Sequence, residues 1–181
     1  YHFAIGANQG GDIAGNSIVA GSIGTLDFEP PFAYLSGRTL IVQFADSAST
    51  ITTTASSTDL ALAQGIQHLS YPLESFDSID LFGTSSANQL VSNGNLATPM
   101  TFDGAGGADI IESASGTLTL SSDVGGSSAV NVFADGGAAI VFGATQHLHG
   151  LTVSGNASLT AGDHINLVTN SILIQGALDL T

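Results

Sequence analysis

The chain has 181 residues, only 9% of them charged, with one basic and 15 acidic side chains and a formal net charge of −14 at pH 7. A lone Arg38 cannot build the Lys/Arg patch that phosphate neutralisation needs, so neither a nucleic-acid partner nor polybasic attachment to anionic lipid is expected. The absence of cysteine removes disulfides and thiolate chemistry, and the longest apolar run, 138–144, is far short of the ~20 residues of a membrane-spanning helix.

The sequence begins at Tyr1 without a leader pattern and stops inside a strand-like alternation, Ala177-Leu178-Asp179-Leu180-Thr181. It reads as a processed product or a piece of a longer protein. Residues 1–35 are expected to form an N-terminal cap or edge segment. Within them Phe28-Glu29-Pro30-Pro31-Phe32 cannot be a central strand, because proline removes ladder donors.

From residue 36 onward, apolar triplets recur between Gly, Asn and Ser corners. One series is Leu40-Ile41-Val42, Leu60-Ala61-Leu62, Ile79-Asp80-Leu81, Met100-Thr101-Phe102, Leu118-Thr119-Leu120 and Ile140-Val141-Phe142, about 20 residues apart. A second runs through Leu90-Val91, Ile110-Ile111, Val130-Asn131-Val132, Leu151-Thr152-Val153 and Ile172-Leu173-Ile174. Short period-2 strands at that interval predict an all-β fold over 36–181, a right-handed parallel β-helix (solenoid) with coils of about 20 residues. A β-sandwich is the alternative. A single coil cannot bury its inward side chains, so coils must stack. The expectation is a rod of about nine coils, roughly 45 Å long, in which Ile41, Leu81 and Leu120 lie one above another. Over 57–69, Ser57 and Thr58 resemble a helix N-cap and Leu62, Ile66 and Leu69 have helical spacing. Gly65 and the phase of Leu60 and Leu62 favour an irregular strand there.

The stretches T-Q-H-L-H-G-L-T-V-S-G-N-A-S-L-T-A-G-D (145–163) and L-V-T-N-S-I-L-I-Q-G-A-L-D-L-T (167–181) resemble a segment of large secreted surface proteins of planctomycete-type bacteria. S-Y-P-L-E-S-F-D-S-I-D-L-F-G-T (70–84) and P-M-T-F-D-G-A-G-G-A-D (99–109) are similar to the haemolysin-type and autotransporter-adhesin-like repeats of such proteins. The likeness covers 70–181. It implies a secreted or cell-surface polypeptide, repeat-built, adhesive or structural, and it carries over no catalytic residue.

Gly104-Ala105-Gly106-Gly107-Ala108-Asp109-Ile110-Ile111 approximates the calcium nonapeptide G-G-x-G-x-D-x-U, with Ala105 at the second glycine. Asp103 and Asp109 are therefore the candidate metal ligands and Ca2+ the candidate cofactor. The plainer reading, a Gly-rich corner with solvated aspartates, is preferred. Gln9-Gly10-Gly11-Asp12 is a weaker copy. His147 and His149 fall on one face of a strand, and His164 nearby would complete a three-histidine zinc or copper set. Exposed or corner histidines are preferred here too. Arg38 is expected to pair with an acid near the Pro-Pro loop, where Asp27, Glu29 and Asp46 lie, rather than to act as the base of a polysaccharide lyase. The carboxylate pairs Asp77/Asp80 and Asp109/Glu112 are of the kind used in glycoside hydrolysis, but the chain has no Trp to stack on a sugar.

The expected function is a non-enzymatic extracellular structural or adhesive module whose solenoid over 36–181 continues into further coils or into a partner subunit, the latter by end-to-end polymerisation, with Leu178 and Leu180 as assembly residues. Its partners would be further copies, other surface proteins or extracellular polysaccharide. Two alternatives stand beside it. One is a carbohydrate-active β-helix enzyme or binding domain with a groove of Phe32, Tyr34 and Tyr71; the other is a calcium-stabilised secreted repeat.

Overall fold

A computed structural model describes residues 31–175 and, before them, strands β1 (His2–Ile5) and β2 (Gly21–Thr25), which pair antiparallel. The chain divides into two compact units, Tyr1–Pro31 and Phe32–Thr181. Leu178, Leu180 and the Gln9-Gly10-Gly11-Asp12 motif lie outside the described residues.

The second unit starts with β3 (Ala33–Ser36), β4 (Thr39–Gln43), β5 (Ser49–Ala55), β6 (Asp59–Gln64) and β7 (Gln67–Pro72), followed by a 3-10 turn, Leu73–Ser75. Then come β8 (Ser78–Phe82), β9 (Asn88–Asn93), β10 (Leu96–Asp103), β11 (Ala108–Ser113), β12 (Thr117–Leu120), β13 (Ala129–Ala134) and β14 (Ala139–Phe142). The last are β15 (Gln146–Leu148), β16 (Gly150–Val153), β17 (Ser158–Ala161), β18 (Leu167–Thr169) and β19 (Ile172–Ile174). The architecture is all-β, a solenoid of about 5 turns with parallel coils of about 21 residues. None of its described helices is long and apolar enough to cross a membrane.

Two long sheets form the walls. The first has the spatial order β17-β14-β12-β10-β8-β4-β3, the second β19-β16-β13-β11-β9-β5-β6-β7; β15 and β18 make a short third wall. Each parallel coil contributes one strand to each long wall, so the two series of triplets, Leu60-Ala61-Leu62 aside, are the two walls of the same coils. Alternation sends every second side chain inward. In the first wall Leu40, Ile79, Met100, Leu120, Phe142 and Ala161 form one column. In the second, Ile51, Leu90, Ile111, Val132, Leu151 and Ile172 do the same.

The column differs from expectation in membership. Ile41 faces outward opposite Asp80, while Leu81 stacks between Val42 and Phe102, one column away from Leu120. The three expected residues therefore do not lie one above another, although the ladder itself exists. Nine coils is also too many. The triplet Leu60-Ala61-Leu62 belongs to an antiparallel meander, since β6 pairs antiparallel with both β5 and β7, and β3 pairs antiparallel with β4. The segment 57–69 accordingly holds strands, not a helix.

Two local features keep the coils in register. Where the second wall turns back to the first, Gly94 and Gly116 stack with φ of +82° and +71°, and a Cβ on Gly116 would run into the backbone of Gly94. Pro99 sits where the pairing of β10 with β12 shifts between Leu96 and Met100, an irregularity that accommodates a residue without an N–H.

Candidate functional site

The calcium-like corner joins β10 to β11. Ala105, Gly106 and Gly107 all take positive φ, which turns the chain sharply enough to place Asp103 and Asp109 on different sides of it. Asp103 is exposed and accepts hydrogen bonds from Ser127 Oγ (2.7 Å) and the Ala105 N–H (3.1 Å), which hold its carboxyl below the usual range. Asp109 is fully buried, and its Oδ1 accepts the Asn88 N–H at 2.8 Å. Its Oδ2, Ser128 Oγ and Asn88 Nδ2 have no hydrogen-bond partner. Burial pushes the Asp109 carboxyl up, against the pull of the Asn88 N–H. A Cβ on Gly104 would collide with both Asp109 Oδ2 and Ser128 Oγ, so only glycine lets the corner close over them. The two expected calcium ligands thus face solvent and interior respectively.

A second cluster forms where the loop 121–128 meets β15. Gln146 is buried with its amide fully used: Nε2 donates to the carbonyls of Ser122 (2.7 Å) and Ala144 (2.9 Å), and Oε1 accepts the Val124 N–H (3.1 Å). That anchor holds Asp123 against His147. Asp123 Oδ1 accepts the His147 N–H at 2.9 Å, and Oδ2 meets His147 Nδ1 at 2.5 Å. Burial raises the Asp123 carboxyl, but the His147 contacts and the Gly125 N–H outweigh it and hold the group below the ordinary range. Glycine at 125 is required by packing, because a Cβ there would strike the His147 carbonyl. His149 stands at the bend into β16 and lines the same open cleft of about 340 Å³ as His147, together with Val168 and Asn170. His164, at φ +67°, lies in the loop before β18 and does not line that cleft. Spacing exposed the histidine pair; Asp123 escaped notice because it comes from the preceding coil.

At the β3/β7 end, Arg38 finds a different acid from those expected. It makes a two-pronged contact with Asp77, Nε to Oδ2 at 2.5 Å and Nη2 to Oδ1 at 2.6 Å, and donates to the Glu74 carbonyl. The hydrogen-bonded Arg38 guanidinium holds the Asp77 carboxyl low. Phe32, Tyr34 and Tyr71 do not form a groove. Phe32 is buried in the core, and Tyr71 OH donates to the Ala33 carbonyl (2.6 Å), tying the two walls together; Tyr34 is exposed. Of the expected carboxylate pairs, Asp77 is held by Arg38 while Asp80 accepts a hydrogen bond from Thr101, and Glu112 accepts one from Gln89 while Asp109 is buried. A shallow groove of about 250 Å³ does occur on the outer face of the second wall, where Phe133 stands among Gln89, Glu112, Asp135 and Thr152.

Among the described residues no group of three or more His, Asp or Glu side chains is arranged to hold a metal ion. At the opposite end of the stack, β17 and β19 are the outermost described strands of their walls, with Ile172 and Leu173 about half exposed. Comparisons of the chain with protein-family models, curated proteins and solved structures return no match.

Proposed function

We propose that the chain is a non-enzymatic structural or adhesive module of the cell exterior, a stack of coils that grows when a further copy adds strands at β17 and β19. One observation carries this reading. The inward column Ile51–Leu90–Ile111–Val132–Leu151 is buried at every level, yet its last member, Ile172, is 54% exposed beside the outer edge of β19. A strand placed there would satisfy free main-chain groups and continue the apolar column at the same time. The exterior setting and adhesive role draw their support from the resemblance of 70–181 to secreted surface proteins.

Sedimentation and electron microscopy over a concentration series test the reading. The wild-type chain assembles into rods, whereas Ile172→Lys, which puts a charge at the end of the column, stays monomeric. A wild-type protein that is monomeric at every concentration would refute it.

A second reading, a carbohydrate-binding face, is favoured by Phe133, which is half-buried in the outer groove between carboxylates and amides able to hydrogen-bond hydroxyls. Glycan binding that is lost in Phe133→Ala would support it. Release of reducing or unsaturated sugar would move the protein into the enzyme class.

A further inference from the structure

We propose that His147 and His149 form a docking site for a divalent transition-metal ion, Cu2+ ahead of Zn2+, with Asp123 as the positioning residue. His147 and His149 both line one open cleft that solvent and an ion can enter. The Asp123 carboxylate takes the proton-bearing Nδ1 of His147, which fixes the tautomer and leaves the Nε2 lone pair for a metal. A carboxylate behind a ligating imidazole also raises its basicity.

The support behind Asp123 is rigid. Its Oδ1 is tied to the backbone of His147, and the buried Gln146 amide fastens Ser122 and Val124 on either side of it. A solvated surface histidine needs no such backing. The donor set decides the ion: two neutral nitrogens and water suit copper or zinc, whereas Ca2+ and Mg2+ demand oxygen cages. Between the two, imidazole sites follow the general order that places Cu2+ above Zn2+. The net charge of −14 draws cations toward the surface without specifying where they bind.

Isothermal titration of the full chain with copper or zinc chloride, paired with NMR of the imidazole resonances, tests the site. One ion binds per chain, Cu2+ more tightly than Zn2+, and the His147 and His149 signals respond together. His147→Ala and His149→Ala each weaken binding at least tenfold, and the melting temperature of His149→Ala is unchanged because its side chain is exposed. Asp123→Asn weakens it by about tenfold, the loss typical of a broken ligand-orienting hydrogen bond, and His164→Ala has no effect. Binding that survives His147→Ala and His149→Ala together, or that is lost in His164→Ala, would overturn the assignment. Unchanged affinity in Asp123→Asn would remove the positioning role.

Discussion

At the β3/β7 end antiparallel strands extend the two walls, whereas at the β19 end the second wall's inward column ends on half-exposed Ile172. Leu60 and Leu62 of β6 are buried with Leu69 and Tyr71 of β7 packed against the same core, and the Tyr71 hydroxyl bridges the two walls. No described strand performs that service for Ile172, although Ile165 and Leu167 cover part of the first wall's last coil. The second wall's column is therefore covered by β6 and β7 at one end and left half-exposed at Ile172 at the other. Burial at the β6 end contributes folding stability; exposure at the β19 end is what the proposed assembly would use.

The largest expected effects test that contrast directly. Leu62→Ala should cost about 2–5 kcal/mol, the range for deleting a buried leucine side chain, whereas Ile172→Ala in the dilute monomer should cost less than about 1 kcal/mol because much of the side chain is already wet. Equal losses in denaturant melts would erase the distinction between the ends. Gly116→Ala, in the middle of the stack, should lower stability by roughly 3 kcal/mol, combining left-handed strain with overpacking against Gly94. A melt that does not move would mean that the corners are not stacked as described.

Asp109→Asn sharpens the account of the interior. Burial raises the folded-state pKa of Asp109 above its unfolded value, so the native state holds the proton more tightly and wild-type stability falls as pH rises through that pKa. The asparagine variant should gain about 1 kcal/mol or more at pH 7, where it no longer buries a poorly satisfied carboxylate. The gap between the two proteins should close as the pH is taken below the unfolded carboxylate range. Urea titrations of both from pH 3 to 8 measure it, and a constant gap would contradict the burial of Asp109.

The smallest effect belongs to Arg38→Ala. The Arg38–Asp77 pair is largely solvated, so its loss should barely move the melt in low salt and not at all in 1 M salt. A large, salt-independent loss would show that the 3-10 turn depends on this clamp.

What could be read from the sequence follows the same physics. Ile79-Asp80-Leu81 and Leu118-Thr119-Leu120 alternate cleanly, so period and phase were both visible and the structure keeps them. Leu40-Ile41-Val42 is apolar throughout and carries no phase, which is why Ile41 was expected to face inward when Leu40 and Val42 do. Strand β5, Ser49–Ala55, is mostly threonine and small residues and gave no apolar triplet at all. The β6–β7 meander occupies about one coil's length, so its leucines fell into the repeat by coincidence of spacing. At the calcium-like corner the residue types were legible, but whether Asp103 and Asp109 share a side depends on three consecutive positive φ angles that the spacing alone does not reveal.

Residue-resolved hydrogen exchange at low and high protein concentration tests the central claim most directly. The account predicts that β9, β11 and β13 exchange slowly at both concentrations, while β17 and β19 exchange quickly when dilute and slow markedly when concentrated. If the β19 amides are already as protected as those of β11 in the monomer, or remain unprotected at every concentration, the open end does not exist as described.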